Sequence, residues 1–475
     1  MAENDLLKAL KDYADTDAYP MHMPGHKRNG QFSENGLPLD IDITEIDGFD
    51  NLHQPEGILK NLCERIQKLY GSAFSLPLIN GSTVGILAGI ASVFSFGGSI
   101  LLARNCHKSL YNAVKLFGLT PYYLVPPVDE MTGIAGSILP EDVENMLKKY
   151  PEIQLVVLTS PTYDGVLSDI KSIVKIAHKK NVPVLVDEAH GAHLQFSGMQ
   201  EYSAVAAGAD IVIQSLHKTL PAMTQTAVAH INGNLVSPEA FQKQCAVFES
   251  SSPSYVLLSS IASCVATLEA HGTELFAAYQ KNLQAFSEKM SGLSNLLVLG
   301  KGKDNIQNHA PIFAFDQGKI LISTTKTTLH GPKLMDMLRD KFHIECEMAS
   351  ASYALAMTSC CDTKEGFERL ENALLQIDKT LTKQATTVKF KATSLPKQVC
   401  TPFAAGKKSG TFLPLSQSQN KVALDFLFCY PPGIPLLVPG EEISASLLEE
   451  IAVFENAGIS VQSGDKKLPE FYSCD

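Results

Sequence analysis

The chain begins with an acidic, amphipathic stretch, "MAENDLLKALKDYADTD", whose apolar residues predict a first helix. The segment that follows is rich in Pro, Gly, Asn and Asp, which is typical of an extended arm with turns. "ILKNLCERIQKLYG" then returns to helical spacing and stops at Gly71, a common C-terminal signal of helices. The pattern therefore predicts a helix, an arm and a second helix.

From there to about residue 235, short apolar runs alternate with amphipathic stretches. "IQLVVLTSP", "VPVLVDEAH" and "DIVIQSLHK" predict strands, whereas "HKSLYNAVKLFG" and "LSDIKSIVKIAHKK" predict helices. Near-continuous apolar strands separated by helices are typical of a mainly parallel sheet covered on both faces. We therefore predict an α/β fold with a large domain of this kind and smaller C-terminal α+β domains.

At 475 residues the length favours two to four domains. We expect an N-terminal helix and arm over residues 1–50 and a large α/β domain over 51–290, the end of which is one or two long helices. A small α/β domain should cover residues 291–385. A last module should follow over residues 386–475.

Charge and composition narrow the class of protein. The net charge is -11, with 45% apolar and 19% charged residues, which is ordinary for a globular enzyme and argues against a nucleic-acid partner. Asp187–His190 spell the DEAH box of helicases. No Walker A string, G-x-x-x-x-G-K-[ST], precedes them, so an ATP-driven motor is not expected.

Membrane association and secretion are not expected either. No apolar run approaches the length of a membrane span, and the acidic start lacks the apolar core of a signal peptide. Ten cysteines are scattered without a CxxC pair, which favours free thiols in a reducing compartment. These features predict a cytoplasmic protein.

Two polar segments contain the first candidates for functional residues. In "NGSTVG", Ser82 and Thr83 lie where a helix should begin, and a helix N-terminus with hydroxyls suits a phosphate. An ordinary helix cap would use the same residues. His107 in "RNCHKS" follows a predicted strand, a position in which an isolated histidine is more often a structural hydrogen bonder.

Two further residues follow neighbouring predicted strands. Asp187 ends "PVLVD", and a buried carboxylate there needs a cationic partner. Lys218 in "QSLHKTL" comes after the next strand, beside Ser215 and His217. A phosphate turn, then an aspartate, then a lysine is the order that a pyridoxal phosphate site requires. The lysine forms the Schiff base, the aspartate keeps the pyridine nitrogen protonated and the helix N-terminus takes the phosphate.

With these residues in view, the chain resembles the pyridoxal-phosphate-dependent Orn/Lys/Arg decarboxylases of the aspartate-aminotransferase fold. It is most similar to the short bacterial form without an N-terminal wing domain. The resemblance covers most of the chain in nine ordered blocks: "HMPGHK", "DNLHQPEG", "NGSTVG", "RNCHKS", "SPTYDGV", "VDEAHGAH", "QSLHKTL", "SSSPSY" and "YPPGIPLLVPGE".

The resemblance implies α-decarboxylation of arginine, lysine or ornithine to carbon dioxide and a polyamine or its precursor. Pyridoxal 5'-phosphate would be the cofactor, bound by the domain at 51–290, and residues 386–475 would be the decarboxylase-type C-terminal module. The four implied catalytic residues are Lys218, Asp187, His107 and His217.

Further roles implied by the resemblance concern the cofactor's surroundings. His107 would stack over the ring and Ala189 would pack against it, while His190 stands where longer members carry tryptophan. The implied phosphate ligands are Ser82, Thr83, Ser215 and His217.

The family's active site lies at a dimer interface, so the resemblance also implies a homodimer or a multiple of dimers. From "SSSPSY", Ser251, Ser252 and Tyr255 are candidates to reach a neighbouring subunit's cofactor or substrate. Glu441 and Glu442, after "VPG", are candidates for binding the distal cation of a basic amino-acid substrate.

Three alternatives stay open at this point. The same scaffold could carry another pyridoxal phosphate reaction, such as transamination or carbon–sulfur lysis. A metal hydrolase could use Asp187, His190 and His193, although no further ligand stands at motif spacing and no metal site is expected. The third alternative is a non-catalytic protein that keeps the cofactor pocket.

Overall fold

The protein divides into two compact units. Met1–Val93 and Pro183–Phe276 form the first, and Phe94–Val182 and Ala277–Asp475 form the second. The four-part division expected from the sequence stays a prediction. The computed structural model describes residues 5–29, 36–300, 312–384, 395–429, 433–456, 458–464, 468 and 470–475.

Helices and strands are numbered along the chain, and the first unit begins and ends with helices. Its helices are α1 (Leu6–Ala14), α2 (Ile58–Tyr70), α3 (Gly81–Val93), α7 (Leu216–Thr219), α8 (Pro238–Phe248) and the start of α9 (Tyr255–Met290). Its strands are β1 (Phe74–Leu78), β6 (Val184–Asp187), β7 (Ile211–Ser215) and β8 (Ala227–Ile231).

The four strands of the first unit lie in the order β1-β8-β7-β6. β6 and β7 are parallel, whereas β8 is antiparallel to both β7 and β1. Asp187 pairs with Ile213 in the parallel register. Since parallel strands end at the same edge, the residues that follow β6 and β7 meet at one edge of the sheet.

α3 lies close to these strands because two of its residues have no side chain. A Cβ on Gly85 would stand 2.8 Å from side-chain atoms of Ile213 and Leu78, and one on Gly89 would stand 2.8 Å from Leu185. Such distances are below van der Waals contact in a core packed at crystal-like density. Glycine at both positions thus lets the helix approach the sheet and fixes where its amino end lies.

The second unit contains the remaining elements. Its helices are α4 (Lys108–Leu116), α5 (Pro140–Lys149), α6 (Ile170–His178), the rest of α9, α10 (Gly331–Phe342), α11 (Lys364–Thr380), α12 (Pro402–Ala405) and α13 (Ala445–Asn456). Its first strands are β2 (Ser99–Ala103), β3 (Thr120–Leu124), β4 (Ile153–Thr159) and β5 (Val166–Leu167). The later strands are β9 (Leu297–Leu299), β10 (Ala314–Phe315), β11 (Lys319–Ser323), β12 (Met348–Ser350), β13 (Tyr353–Met357), β14 (Thr411–Pro414), β15 (Val422–Ala423), β16 (Leu427–Cys429), β17 (Ile434–Leu437), β18 (Val461–Ser463) and β19 (Glu470–Cys474).

Within the second unit, β2 is parallel to both of its neighbours in the order β4-β2-β3. The smaller sheets, β12-β13-β11-β9, β14-β19-β15 and β17-β16-β18, are antiparallel in every pairing. A mainly parallel α/β core and smaller C-terminal α+β parts are therefore confirmed. In the described ranges, no helix is both long and apolar enough to cross a membrane.

Candidate active site

The predicted aspartate and lysine lie together at the carboxyl edge of β6 and β7. Asp187 is the last residue of β6, and its side chain is 3% exposed. Its carboxylate accepts a hydrogen bond from the Ala189 backbone amide at 3.2 Å. Burial raises the pKa of Asp187, and the positive charge of Lys218 acts against that rise. The buried carboxylate thus has the cationic neighbour that it needs.

Lys218 follows β7 on the short helix α7, and its ammonium group contacts a histidine. The Lys218 Nζ lies 3.1 Å from Nε2 of His190, which is buried. The lysine itself is half-buried. An amine that contacts a buried imidazole and interacts electrostatically with a buried carboxylate has a restricted position, which suits a group that must form a covalent bond at one point in space.

The hydroxyls predicted to take a phosphate also come together. Ser82 in the first turn of α3 and Ser215 at the end of β7 are hydrogen-bonded, with 2.6 Å between their Oγ atoms. Thr83 is the next residue of α3 and is exposed. Free backbone amides at the amino end of a helix, with two hydroxyls beside them, favour an anion.

His217 has a defined tautomer because its partner can only accept. Its Nδ1 lies 2.9 Å from the Thr226 carbonyl oxygen, so Nδ1 carries the proton in this bond. Burial lowers the pKa of His217, partly opposed by that hydrogen bond. At neutral pH, Nε2 is therefore an acceptor that can bind a proton or a protonated ligand group.

These residues fit pyridoxal phosphate by the chemistry of their donors and acceptors. The group needs an amine for covalent attachment, an anion for its ring nitrogen and hydrogen-bond donors for its phosphate. Lys218, Asp187 and the Ser82–Ser215 pair supply these three in one unit of the protein. The individual roles assigned from the sequence stay predictions.

A second buried carboxylate, which was not predicted, follows Asp187 directly. Glu188 is fully buried and accepts hydrogen bonds from the Ala204 amide at 2.7 Å and from Gln214 Nε2 at 2.6 Å. Gln214 Oε1 lies 3.2 Å from His230 Nε2, and His230 Nδ1 lies 2.8 Å from Ser75 Oγ. This hydrogen-bonded chain links β6, β7, β8 and β1 behind the site residues.

The positions of these hydrogen-bonded residues in the strands explain why the sequence did not predict their contacts. Side chains alternate between the two faces of a strand, so Glu188 and Gln214 point away from Asp187 and Ser215. The sequence does contain one signal, because Glu188 and Gln214 are polar residues next to apolar runs. They follow directly after Asp187 and Ile213, which pair in the sheet. Using it requires the register of β6 and β7, which the sequence does not state.

Replacing Glu188 with glutamine is expected to reduce the pH dependence of stability. Burial raises the pKa of Glu188 to about 8. The folded protein then holds a proton that the unfolded chain releases near its ordinary pKa of about 4.3. Stability should therefore fall as pH rises between these values, by an amount on the order of a few kcal/mol. The uncharged variant should show a smaller fall in melting temperature between pH 5 and 8.

The matched control for this comparison is Glu274→Gln, since Glu274 is exposed on α9. The control should follow the wild-type curve of melting temperature against pH. If Glu188→Gln followed that curve as well, the proposed protonation of Glu188 in the folded state would be wrong.

His107 belongs to the second unit and caps the amino end of α4. Its Nδ1 accepts a hydrogen bond from the Ser109 amide at 3.3 Å and lies 2.9 Å from the Ser109 hydroxyl. Because Nδ1 accepts the backbone bond, its Nε2 carries the proton in the neutral form. The cap fixes the ring's position, and the predicted stacking on a cofactor stays a prediction.

Both candidate acidic residues near the C-terminus have basic partners within the chain. Glu441, 2% exposed, forms an ion pair with Arg104 at 3.1 Å, and its Oε2 also accepts from the Val438 amide at 2.8 Å. Glu442 lies 3.4 Å from the exposed Lys397 ammonium. Arg104 was not predicted; it also donates to the Pro435 carbonyl at 2.7 Å. Glu441 thus balances a buried guanidinium, whatever else it contacts.

The segment "SSSPSY" is divided between exposed and buried residues. Ser251 and Ser252 are exposed, in keeping with a segment available to a neighbour. Tyr255 is buried at the start of α9, and its hydroxyl donates to the carbonyl oxygens of Asp50, at 2.6 Å, and Phe49, at 3.2 Å. These bonds join it to the first residue of the motif "DNLHQPEG" and to the residue before it, in the same unit. From "YPPGIPLLVPGE", Tyr430–Pro432 lie outside the described residues.

The metal-hydrolase alternative gains no support from the side chains. Among the residues that the structure describes, no three His, Cys, Asp or Glu side chains converge in a way that could hold a metal ion. His190 contacts Lys218, which competes with a metal for its Nε2. The arrangement at the sheet edge favours a reaction of the Lys218 amine instead.

Comparison with protein families identifies the family of this chain. The model described as "Orn/Lys/Arg decarboxylase, major domain" matches residues 4–321, and that described as the family's C-terminal domain matches residues 379–472. The chain belongs to the Orn/Lys/Arg decarboxylase family. The predicted family and the predicted enzyme class, a decarboxylase, are confirmed.

Relatives of this decarboxylase match it over nearly its whole length. The arginine decarboxylase of Bacillus subtilis (strain 168) is 30% identical over 471 residues, which cover 97% of this chain and 95% of that protein. The crystal structure of the Francisella novicida lysine decarboxylase has a TM-score of 0.83 at 21% identity, covering 99% of this chain and 81% of that one.

A more distant structure confirms the predicted aminotransferase-like fold. An alanine–glyoxylate aminotransferase from Nostoc sp. has a TM-score of 0.52 at 13% identity, covering 67% of this chain and 86% of that one. The family and this fold are dependent on pyridoxal phosphate in general.

Proposed function

We propose that this decarboxylase binds pyridoxal phosphate through Lys218 and uses it to remove the α-carboxylate of a basic amino acid as carbon dioxide. The observation that carries the proposal is the placement of Lys218 and Asp187 at the ends of two neighbouring parallel strands, with opposite charges. Membership in the Orn/Lys/Arg decarboxylase family supports the reaction type.

The chain's own residues have separable tasks. Asp187 would hold the protonated ring nitrogen, and the phosphate would be held by Ser82, Thr83, Ser215 and His217. When bound, pyridoxal phosphate supplies an electron sink for the electron pair that the departing carbon dioxide leaves behind. Lys218 Nζ, or His217 once its Nε2 has gained a proton, would supply the proton that the α-carbon gains. The candidates to confine the ring and exclude water from it would be His107, Ala189 and His190.

Arginine is the first substrate to test. The near-full-length relative from Bacillus subtilis is named an arginine decarboxylase, whereas the matched solved structure is a lysine decarboxylase. The product would be agmatine from arginine, or a diamine from lysine or ornithine. One methylene changes the free energy of binding in a pocket by only about 1–3 kcal/mol. The choice among arginine, lysine and ornithine therefore has to be measured.

The substrate's distal cation requires an anionic partner, since an unpaired buried cation is costly. Glu441 and Glu442 are the candidates proposed here. Glu442 is the stronger one, because its ion pair with Lys397 is exposed and such pairs are weak. Ser251 and Ser252 would reach a second subunit's site, which makes the functional form a homodimer or a multiple of dimers in the cytoplasm.

The test is release of labelled carbon dioxide from the carboxyl carbon of arginine, lysine and ornithine. Wild-type protein loaded with pyridoxal phosphate should release label from at least one of them and form the matching amine in equal amount. Glutamate and alanine serve as controls for a requirement for the basic side chain.

Two results would overturn the proposal. Transfer of the amino group to a keto acid without release of carbon dioxide would replace it with an aminotransferase reaction. No turnover of any basic amino acid by cofactor-loaded protein would leave a non-catalytic binding protein.

A further inference from the structure

Glu249 is a buried carboxylate at the carboxyl end of α8, and its contacts lead to the predicted phosphate site. Its residue is 7% exposed, and its amide donates to the Cys245 carbonyl at 2.8 Å, the last bond of the helix. Its Oε1 accepts a hydrogen bond from the Ile79 backbone amide at 2.9 Å. Burial raises the pKa of the same carboxylate, and the backbone amide of Asn80 lies close enough to it to lower that pKa. The side chain therefore ties α8 to the connection between β1 and α3.

Ile79 and Asn80 belong to neither a helix nor a strand. Ile79 and Asn80 lie between the end of β1 at Leu78 and the start of α3 at Gly81. Ile79 is 2% exposed, so a missing partner for its amide would leave a buried donor unsatisfied. Glu249 Oε1 supplies that acceptor.

Two other side-chain contacts hold the same turn. Gln225 Nε2 donates to the Ile79 carbonyl at 2.7 Å. Asn80 Oδ1 accepts from the Ser250 amide at 3.1 Å, so the residue after Glu249 is also attached to the turn. Gly81 then takes a φ of +75°, a conformation that favours glycine, and directs the chain into α3. The next residue is Ser82.

We propose that Glu249 is a positioning residue for the phosphate of the cofactor, fixing the turn from Ile79 to Gly81 and thereby the amino end of α3. The inference rests on the proposed function, because it assumes that pyridoxal phosphate binds at Ser82. Glu249 is not itself a phosphate ligand, since a carboxylate repels a phosphate. Its effect passes through the Ile79 backbone amide that it holds, so it determines cofactor affinity and not the chemical step.

The experiment measures pyridoxal phosphate binding to the full-length protein after removal of cofactor. Glu249→Ala removes the acceptor and should raise the dissociation constant about tenfold or more. Glu249→Gln keeps one acceptor oxygen at nearly the same volume and should give a smaller rise. The phosphorus NMR signal of the bound cofactor should shift in both variants, while kcat at saturating cofactor stays that of the wild type.

Glu239→Gln is the matched control, because Glu239 lies in the first turn of the same helix and accepts a local hydrogen bond from Ser237 Oγ at 2.5 Å. It should bind the cofactor as the wild type does. The melting temperature of each cofactor-free variant separates lost folding from lost affinity. If the alanine variant does not fold, the glutamine variant decides.

The inference is overturned if the Glu249 variants bind pyridoxal phosphate with wild-type affinity and an unshifted phosphorus signal, even where their melting temperature falls. That result would make Glu249 a purely structural residue while leaving the proposed function intact. Failure of the wild type to bind pyridoxal phosphate is the distinct outcome that overturns the proposed function, and this inference with it.

Discussion

Replacing Lys218 with alanine is expected to lower kcat for carbon dioxide release by at least about 10³. The Nζ amine is the proposed point of attachment of the cofactor and a proposed proton donor. The same change removes the cation that opposes the burial of Asp187, so the pKa of that carboxylate should rise further. The measurement is steady-state release of carbon dioxide from the best basic substrate, at saturating substrate and cofactor.

Lys243→Ala is the matched control for this substitution. Lys243 is exposed on α8, and the variant should keep wild-type turnover. Because Lys218 is only half-buried, its alanine variant should fold and keep a wild-type circular dichroism spectrum. Turnover by a folded Lys218→Ala protein within a few-fold of wild type would remove Lys218 from the mechanism.

Replacing Asp187 with asparagine is expected to lower kcat by about 10²–10³. The amide has nearly the same volume and can still accept the Ala189 hydrogen bond, but it has no charge with which to keep a ring nitrogen protonated. Cofactor affinity should fall as well. The readouts are kcat for carbon dioxide release and the dissociation constant of pyridoxal phosphate.

Asp187→Asn should fold stably. Burial already disfavours the charged form of Asp187 and raises its pKa, and the variant removes that charge. A melting temperature near that of the wild type is therefore the internal control. Wild-type kcat in this variant would show that the carboxylate does not serve the ring nitrogen.

Much of the fold follows from the sequence because its signals are local. Apolar runs of strand length predicted β4, β6 and β7, and amphipathic stretches of helix length predicted α1, α2, α4 and α6. Gly71 adopts a φ of +71° at the end of α2, as its position after the last apolar residue indicated. The long apolar segment from Tyr255 is one helix, α9. The helix α8 was not predicted; its short sequence "PEAFQKQCAVF" buries only Phe241 and Cys245.

The site was predictable where its residues follow strands and unpredictable where they act through partners distant in sequence. Asp187 and Lys218 each end or follow an apolar run, so the parallel arrangement brings them to one edge. The roles of Glu188 and Glu249 could not be assigned from their positions alone, because they depend on bonds to Gln214 and to the Ile79 amide. The ion pair of Glu441 with Arg104 likewise joins residues more than three hundred positions apart.

The most direct test of the central claim is reduction of the pyridoxal-phosphate-loaded protein with borohydride, followed by mass spectrometry of its peptides. Reduction makes a lysine–cofactor linkage permanent and adds the mass of the reduced cofactor to one residue. We expect that mass on the peptide containing Lys218, and its loss in Lys218→Ala. Attachment to any other lysine, or no attachment in protein that releases carbon dioxide from a basic amino acid, would contradict the account.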